Sequence, residues 1–491
     1  MKKLYTSYIS KLSCLTFLAC LLFSCSHRVE VTKQLATTPH IFPDYQEVTI
    51  PQNIAPLHFR VEKEVGEVVA AKFSTDGGKV VEVEADGNDI CMDAKDWREL
   101  VKDAHQLSVQ VIVERNGVGG AYKPFRVEVS KDFIDSYLAY RLIEPGYEKW
   151  YKMGIYQRQL SSYEQTPIIE NSQTGNNCMN CHSFMQQNPK YTMLHLRGGD
   201  MGGTYVTKHE GDELEKMKFD ANRIKSLVYP SWHPSGRFIA FSTNDTHQSF
   251  HSSDKNRIEV YDQSSDIVVV SDIDEASSQI ITSPLLSSKE HFETYPCFSP
   301  DGKTLYFCSA DSVEMLRCFK DVKYSICSIA FDAEKKSFGN QVDTLFSAHL
   351  TGKSAVMPRV SPDGKWMVVT VADYGCFPIW HHEADLYIIN LKTRETHPLT
   401  AANSPDTESY HSWSSNGRWL VFGSRRLNGL YTMPYICHID ENGKASKPFL
   451  LPQKETDFYD RCLKSFNIPE FVKDAVHFNR IGLDGCRNQK I

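Results

Sequence analysis

The sequence lacks several short motifs that mark common enzyme classes. It has no Gly-x-Ser-x-Gly elbow, no Walker loop and no His-Glu-x-x-His pair. No sequence motif therefore supports hydrolase, nucleotide or zinc-protease chemistry. Basic residues are not in excess either, since 54 Lys and Arg stand against 61 Asp and Glu, for a formal net charge of −7. An acidic chain repels polyanions, and we therefore expect no nucleic-acid partner.

Long apolar runs are missing after the N-terminus. The chain begins Met1-Lys2-Lys3, and the segment from Leu12 to Phe23 is mostly apolar but short for a membrane span. This pattern predicts a signal peptide over residues 1–24. The sequence ending in Cys25 resembles a bacterial lipobox, which implies that the Cys25 thiol carries lipid and anchors the chain in the membrane. Ordinary signal cleavage is the alternative.

The predicted location of the protein is the cell envelope, on the side that faces the periplasm. The residue after Cys25 is not Asp, which in other bacterial lipoproteins favours the outer over the inner membrane. An exported chain permits disulfides without requiring them. Cys297 and Cys308 flank a predicted hairpin and are candidates for one.

A second Cys-x-x-Cys pair is also missing, which matters for interpreting the one that is present. Cys178-Met179-Asn180-Cys181-His182 has the Cys-x-x-Cys-His spacing of c-type haem attachment. Two thiols at this spacing form thioethers to the haem vinyl groups, and the imidazole of His182 then ligates the iron. A zinc site needs another ligand pair, and a thioredoxin-like motif follows a buried strand, whereas the approach here is polar. We expect one covalent haem c, with a disulfide or redox pair as the alternative.

The sixth iron ligand has several candidates downstream, namely Met185, Met193, His195, Met201 and His209. A Met ligand raises the reduction potential and a second His lowers it. We favour His195, because residues 191–198 alternate like a strand that holds its imidazole near the attachment site. Arg197 is a candidate partner for a haem propionate. The alternatives are a histidine satisfied within the fold and a solvated arginine charge.

From about residue 229 onward the chain repeats one unit. Its four copies are Tyr229-Pro230-Ser231-Trp232-His233-Pro234-Ser235-Gly236, Tyr295-Pro296-Cys297-Phe298-Ser299-Pro300-Asp301-Gly302, Met357-Pro358-Arg359-Val360-Ser361-Pro362-Asp363-Gly364 and Tyr410-His411-Ser412-Trp413-Ser414-Ser415-Asn416-Gly417. Ser-Pro-Asp-Gly predicts a tight turn whose glycine is left-handed. An apolar strand follows every turn, and two further strands follow that one. Four strands per unit predict a propeller blade.

The repeat resembles the PD40 units of TolB-like β-propellers, although the fourth copy replaces Pro with His411 and Pro-Asp with Ser415-Asn416. A weaker unit precedes the four copies and the two chain ends supply a possible sixth, so we expect a mostly β protein with five or six blades. The predicted domains are a linker (25–42), an N-terminal antiparallel β domain (43–131), an aromatic-rich segment with the haem site (132–189), the propeller (190–453) and a C-terminal extension (454–491). Residues 132–163 are predicted to be helical or irregular.

A polar rim is predicted near one mouth of the propeller channel. At the same distance after each repeat glycine stand Asp245, Asp311, Asp373 and Arg426. These residues are candidates for a ligand or partner rim. The alternative is that each one caps its own turn.

The whole arrangement resembles bacterial lipoproteins, labelled TolB-like or cytochrome c biosynthesis proteins, that place one Cys-Met-Asn-Cys-His site before a PD40 propeller. Segments 180–184, 195–198, 202–204 and 467–471 carry this likeness. The first functional hypothesis is electron transfer between redox or envelope proteins through the haem. The second is a TolB-like protein-binding propeller in which haem is structural or sensory, and the third is haem-dependent catalysis at an open iron site. An electron carrier or binding protein is favoured over a catalyst.

Overall fold

The computed structural model describes residues 29–63, 66–144, 152–199, 201–208, 213–217, 227–273, 278–478 and 480–481. The described chain is mostly β and propeller-like, as predicted. Within these residues no helix is both long and apolar enough to cross a membrane. The predicted signal segment and Cys25 lie outside the described residues.

The N-terminal domain contains a seven-stranded sheet and a three-stranded sheet. Its elements are β1 (Val31–Gln34), β2 (His40–Phe42), β3 (Val48–Pro51), β4 (Phe59–Glu62), β5 (Glu67–Thr75), β6 (Val80–Glu84), β7 (Asp89–Ile90), α1 (Ala94–Val101), β8 (Gln106–Arg115), β9 (Val118–Ala121) and β10 (Phe125–Ser130). The sheet is mixed rather than purely antiparallel, because β1 pairs parallel with β9 and β3 pairs parallel with β10. The domain also begins earlier than predicted, since β1 and β2 lie in the expected linker.

Six further sheets, which we call ring sheets 1 to 6, make up the rest of the described chain. Ring sheets 1 and 2 contain β11 (Tyr137–Ile143), β12 (Gly154–Gln159), β13 (Gln165–Glu170), β14 (Cys178–Phe184), β15 (Thr192–Arg197), β16 (Gly203–Lys208) and β17 (Glu213–Lys216). Ring sheets 3 and 4 contain β18 (Val228–Trp232), β19 (Phe238–Phe250), β20 (Ile258–Ser271), β21 (Gln279–Ile281), β22 (His291–Phe298), β23 (Thr304–Asp311), α2 (Met315–Cys318), β24 (Ser325–Asp332) and β25 (Ser337–Phe346). Ring sheets 5 and 6 and the C-terminal segment contain α3 (Ala348–Thr351), β26 (Ser354–Val360), β27 (Trp366–Ala372), β28 (Asp385–Asn390), β29 (Thr396–Pro398), β30 (Glu408–Trp413), β31 (Trp419–Ser424), β32 (Met433–His438), β33 (Phe449–Leu450), α4 (Phe458–Arg461), β34 (Ser465–Val472) and β35 (Arg480–Ile481).

The innermost strands of the six sheets contact one another in a closed cycle. The order is β14, β18, β22, β26, β30, β34 and back to β14. Strand β34 comes from near the C-terminus, yet it pairs with β11 of ring sheet 1. The chain therefore closes its own ring with a strand far away in sequence.

The turn after each inner strand has the chemistry that the repeat predicts. In ring sheet 4, Ser299 Oγ lies 2.6 Å from Asp301 Oδ1 and accepts from the backbone N–H of Thr304 at 3.0 Å. Gly302 has φ of +72°, the left-handed conformation that glycine adopts without strain. The same contacts recur at Ser361 and Asp363, so this local chemistry sets the hairpins of the ring.

Residues 132–163 are wrongly predicted as helical or irregular, because their described part contains β11 and β12. The rest of the predicted haem segment contains β13, β14 and a short 3₁₀ turn (Asn171–Thr174). Tyr140 of this segment is fully buried in a sheet core, against Phe466 of β34. The predicted C-terminal extension likewise contains β34, so it belongs in part to the ring.

One hydrophobic core joins the N-terminal domain to ring sheets 1 and 6. Trp97 and Phe125 of the N-terminal domain belong to the same buried cluster as Trp419 and Phe471 of the ring. Polar contacts reinforce the junction, since the indole N–H of Trp419 donates to the Asp132 carbonyl at 2.9 Å.

Candidate ligand site at the centre of the ring

The inner strands bend at the same point in most ring sheets. Tyr229, Tyr295, Met357, Tyr410 and Ile468 all have φ near +50°, and the strand pairing shifts register beside each of them. A non-glycine residue with positive φ is strained, so its recurrence marks a feature of the fold. These bulges and the residues after them surround a central cavity of about 30 Å³.

The Cys-x-x-Cys-His segment forms the inner strand of ring sheet 2. In β14, Ser183 pairs with Met193 and Phe184 with Thr192, which matches the pairing of Ser231 and Trp232 in ring sheet 3. Cys181-His182-Ser183-Phe184 therefore occupies the place of Tyr-Pro-Ser-Trp in β18 and of Tyr-His-Ser-Trp in β30. His182 corresponds to His411, and both line the central cavity.

The two thiols of the segment pack in different hydrophobic cores. Cys178 packs against the cluster that includes Ile155 of ring sheet 1. Cys181 belongs to the cluster that includes Ile239 of ring sheet 3. Neither thiol forms a disulfide, and among the described residues the same holds for Cys297 and Cys308. Burial raises the pKa of the Cys181 thiol, which makes it a poor nucleophile in this position.

His182 and His195 lie on opposite faces of ring sheet 2. His195 pairs with Cys181 and His182 pairs with Leu194, and neighbouring positions on a strand face opposite ways. Burial, with a smaller effect of the Arg141 charge, lowers the pKa of His182 to about 3. Burial and Arg197 lower that of His195 to about 4, and its Nδ1 lies 3.0 Å from Thr204 Oγ1. The described strand therefore does not direct both imidazoles at one iron.

The remaining predicted haem residues are dispersed. Arg197 is exposed at the end of β15, Met185 and Met193 belong to the Cys181 cluster, and Met201 is buried beside Tyr205. His209 lies outside the described residues. Among the described residues, no group of three or more His, Cys, Asp or Glu side chains is arranged to hold a metal ion.

A porphyrin does not fit the described surroundings of the two thiols. The cavity beside Cys181 and His182 has room for ordered water, whereas sites for larger ligands measure about 300 Å³ or more. Forming two thioethers would also require both thiols to leave their separate cores. Covalent haem c at Cys178 and Cys181 stays a prediction that this strand geometry does not favour.

A larger polar cavity, which we call the funnel, opens beside the central cavity on the side of the hairpin turns. Its volume is about 310 Å³. Aromatic side chains from five of the six inner strands line it, namely Phe184, Trp232, Phe298, Trp413 and Phe471. The Trp232 indole N–H is buried and, in the described part of the chain, has no hydrogen-bond partner. The funnel thus combines a polar interior with aromatic side chains in its wall.

Arg359 and Glu470 line both the funnel and the central cavity. Arg359 Nη2 lies 3.7 Å from Glu470 Oε1, which is too long for a hydrogen bond. Burial raises the pKa of Glu470 to about 7, and the Arg359 charge opposes this shift only in part. A carboxyl group that titrates near neutrality inside a cavity is a typical feature of functional sites.

The loop at the edge of the funnel is strained. Gln186 and Gln187 have φ of +48° and +59°, although neither is a glycine. The Gln187 carbonyl accepts from the backbone N–H of Lys473 at 2.8 Å, and its side chain donates to the Trp413 carbonyl at 3.1 Å. These bonds hold the loop across the ring closure and keep Lys473 at the edge of the funnel.

The four predicted rim residues each have a nearby partner and do not line the funnel. Asp311 lies 3.5 Å from both His291 and His349, and Asp245 lies 3.5 Å from His247. Asp373 contacts the Lys353 ammonium group. Arg426 is bound to the buried Glu408 at 2.8 Å. Their role as a ligand or partner rim stays a prediction.

Sequence reasoning missed the main funnel residues, although the repeat contains a signal for them. Arg359 stands where the other copies have Ser231, Cys297 and Ser412, so a charge replaces a small residue in one copy. Ile468-Pro469-Glu470-Phe471 is a further copy of the inner-strand motif, but no Ser-Pro-Asp-Gly turn follows it.

No family model matches this chain, and no curated protein matches it. Among solved structures, prolyl oligopeptidase B from Galerina marginata is similar at 10% identity with a TM-score of 0.36, over 70% of this chain and 42% of that one. Periplasmic gluconolactonase from Pseudomonas aeruginosa is 12% identical with a TM-score of 0.33, over 69% of this chain and all of that one. An ancestral GH74 enzyme is 13% identical with a TM-score of 0.35, over 69% of this chain and 44% of that one. This chain spans about half or less of the prolyl oligopeptidase chains that it matches.

The predicted electron-transfer function is wrong. The thiols lie in separate cores, the two candidate imidazoles face opposite ways, and the adjoining cavity is of water size. The alternative function is a protein-docking module that carries a structural or sensory haem. The same strand geometry does not favour that haem.

Proposed function

We propose that this chain is a binding protein built as a six-bladed propeller, and that its small-molecule ligand occupies the funnel. The cycle of six inner strands supports the blade count, with β34 completing the first blade. Closure by a distant strand stabilises the ring, so that residues from six strands keep fixed positions around its centre.

The observation that carries the proposal is the composition of the funnel wall. A cavity of about 310 Å³ is lined by aromatic rings, and Arg359 and Glu470 lie at its inner end. Ligand sites combine apolar walls with a few polar groups that orient the ligand. The strained loop at Gln186 and Gln187 supports the same assignment, because backbone strain is retained where the surrounding structure holds it for function.

The experiment is a thermal-shift screen of small molecules on the mature protein, followed by calorimetry of each compound that binds. A compound at about 100 times its Kd stabilises the fold by about 2.7 kcal/mol, which is a measurable rise in melting temperature. Ser412→Phe places a ring in the funnel and is expected to abolish binding. Ser253→Phe, at the exposed tip between β19 and β20, is the matched control. Compounds that bind both variants equally would place the ligand elsewhere and overturn the proposal.

The proposed location of this binding protein is the periplasmic side of the cell envelope, with Cys25 lipidated. The support is the sequence of the first 25 residues alone. Cys25→Ala is expected to release the protein from the membrane fraction and to abolish incorporation of labelled palmitate. Cys91→Ala, at an exposed cysteine of the N-terminal domain, should change neither. Retention of the Cys25 variant in membranes would contradict the anchor.

A further inference from the structure

The ligand class follows from the charges that converge on the funnel. The Arg359 side chain is one third exposed, so its guanidinium group is open to the funnel, while the Glu470 side chain is only 10% exposed. The two groups approach to 3.7 Å without a hydrogen bond. A guanidinium group in this position retains donors for a planar anion, which it binds in bidentate fashion.

The other charged and titratable groups around Glu470 do not provide Arg359 with another anionic partner. His182 on β14 and His411 on β30 line the same cavity, and burial lowers the pKa of each to about 3, so both are neutral at pH 7. Arg141 on β11 donates to the Met179 carbonyl at 2.8 Å, and Lys473 follows β34 at the edge of the funnel. The side chains that face the funnel therefore carry excess positive charge whenever Glu470 is protonated.

We propose that Arg359 binds the carboxylate of a ligand that has an apolar or aromatic body, and that this carboxylate displaces Glu470 from Arg359. The inference rests on the proposed function, because it names the ligand of the same funnel. The aromatic side chains that line the funnel beside Arg359 pack against the body of the ligand.

Competition with Glu470 makes binding depend on pH in a defined direction. Above pH 7 Glu470 is ionised and competes for Arg359; below pH 7 it is neutral and leaves Arg359 to the ligand. A simple carboxylate ligand is still ionised at pH 6. Binding takes up one proton, so affinity is expected to fall by up to tenfold per pH unit between pH 7 and pH 8.

The test uses 3-phenylpropionate and its uncharged analogue 3-phenylpropanamide as probes, with titration calorimetry at pH 6, 7 and 8. Wild-type protein is expected to bind the carboxylate more tightly than the amide, and most tightly at pH 6. Arg359→Gln should remove the preference for the carboxylate. Glu470→Gln keeps the size of the side chain and should leave carboxylate binding tight at all three pH values. Thermal melting of both variants confirms that they are folded.

Two kinds of result overturn the inference. The first is that wild type binds the two probes equally, or that its affinity for the carboxylate does not change with pH. A small-molecule site in the funnel would still stand after either outcome. The other is no binding of either probe at any pH, which rejects a carboxylate receptor. The screen with Ser412→Phe judges the funnel separately, because it does not depend on the charge of the ligand.

Discussion

At the scale of single residues, the repeat glycines differ in how much stability the fold is expected to lose when they are substituted. Gly302 and Gly364 have φ of +72° and +71°, but a Cβ on Gly302 would overlap the His233 ring, whereas a Cβ on Gly364 meets nothing within 4 Å. Replacing either glycine with alanine therefore strains the backbone, but only the change at Gly302 also creates a steric conflict.

Gly302→Ala is expected to destabilise the fold more than Gly364→Ala. The left-handed backbone costs roughly 1–2 kcal/mol for a residue with a Cβ, which applies to both variants. The overlap with His233 adds to that cost only at Gly302 and disturbs the packing of His233 against Phe298. Urea unfolding measures both changes, and equal losses would show that the His233 ring moves away freely.

The predicted rim positions also differ in burial, which gives a second prediction. Arg426 pairs with Glu408, whose side chain is fully buried, while Asp373 and Lys353 are both half exposed. Arg426→Ala leaves a buried carboxyl group without its cation and is expected to cost about 3–5 kcal/mol near neutral pH. Asp373→Ala should cost about 1 kcal/mol or less.

Urea unfolding at pH 7.5 and pH 5 tests this contrast. Burial already raises the pKa of Glu408, and loss of Arg426 raises it further. The cost of Arg426→Ala should therefore shrink at pH 5, because Glu408 then takes up a proton. A small loss at pH 7.5 would show that Glu408 is not held by this ion pair.

At the scale of elements, the sequence predicts the hairpins of ring sheets 3 to 6 well. Their turns are set by local contacts such as Ser299 with Asp301, and local chemistry can be inferred from neighbouring residues. The sequence predicts ring sheet 2 only as a weaker unit and ring sheet 1 only as a sixth blade from the two chain ends, because their inner strands, β14 and β34, lack the Ser-Pro-Asp-Gly turn. The parallel pairing of β1 with β9 depends on contacts between distant residues, for which the sequence offers no local signal.

The haem prediction belongs to the same scale and stays a prediction, because one short segment matches two patterns. Cys181-His182-Ser183-Phe184 is both the end of a haem motif and a variant of the inner-strand motif Tyr410-His411-Ser412-Trp413. Spacing alone cannot distinguish a loop that surrounds a porphyrin from a strand that alternates between two cores. The sequence likewise does not predict that Arg359 lies in the funnel, because this position depends on how the six inner strands pack around the centre.

The strand assignment of Cys178 and Cys181 makes a direct chemical prediction. Neither cysteine forms a disulfide in β14, so unfolded mature protein from cells with a cytochrome c maturation system should take a thiol label at each one. In native protein Cys178, which is half buried, should react faster than the buried Cys181. Peptide mass spectrometry assigns the labels. A peptide of residues 178–182 that carries an added tetrapyrrole and takes no label would overturn the strand assignment and restore the haem.

At the scale of the whole molecule, the N-terminal domain and the ring share one hydrophobic core. The cluster that contains Phe59 and Phe125 continues through Trp419 and Phe471 into ring sheets 6 and 1. His58 of the N-terminal domain also lies 2.9 Å from the Lys454 carbonyl, which precedes the closing strand. The closure of the ring is thus packed against the N-terminal domain, so the two parts should not be independently stable.

Phe125→Ala tests this coupling, because Phe125 lies in the N-terminal domain while most of the tryptophans lie in the ring. Deleting the buried ring is expected to cost about 3–5 kcal/mol. Since the core is shared, tryptophan fluorescence and far-ultraviolet circular dichroism should shift to lower urea together, in a single transition. Phe307→Ala, in a core of ring sheets 3 and 4, is the matched control and should behave alike. Two separate transitions, with the fluorescence change unaffected by Phe125→Ala, would show that the ring closes and persists without its N-terminal neighbour.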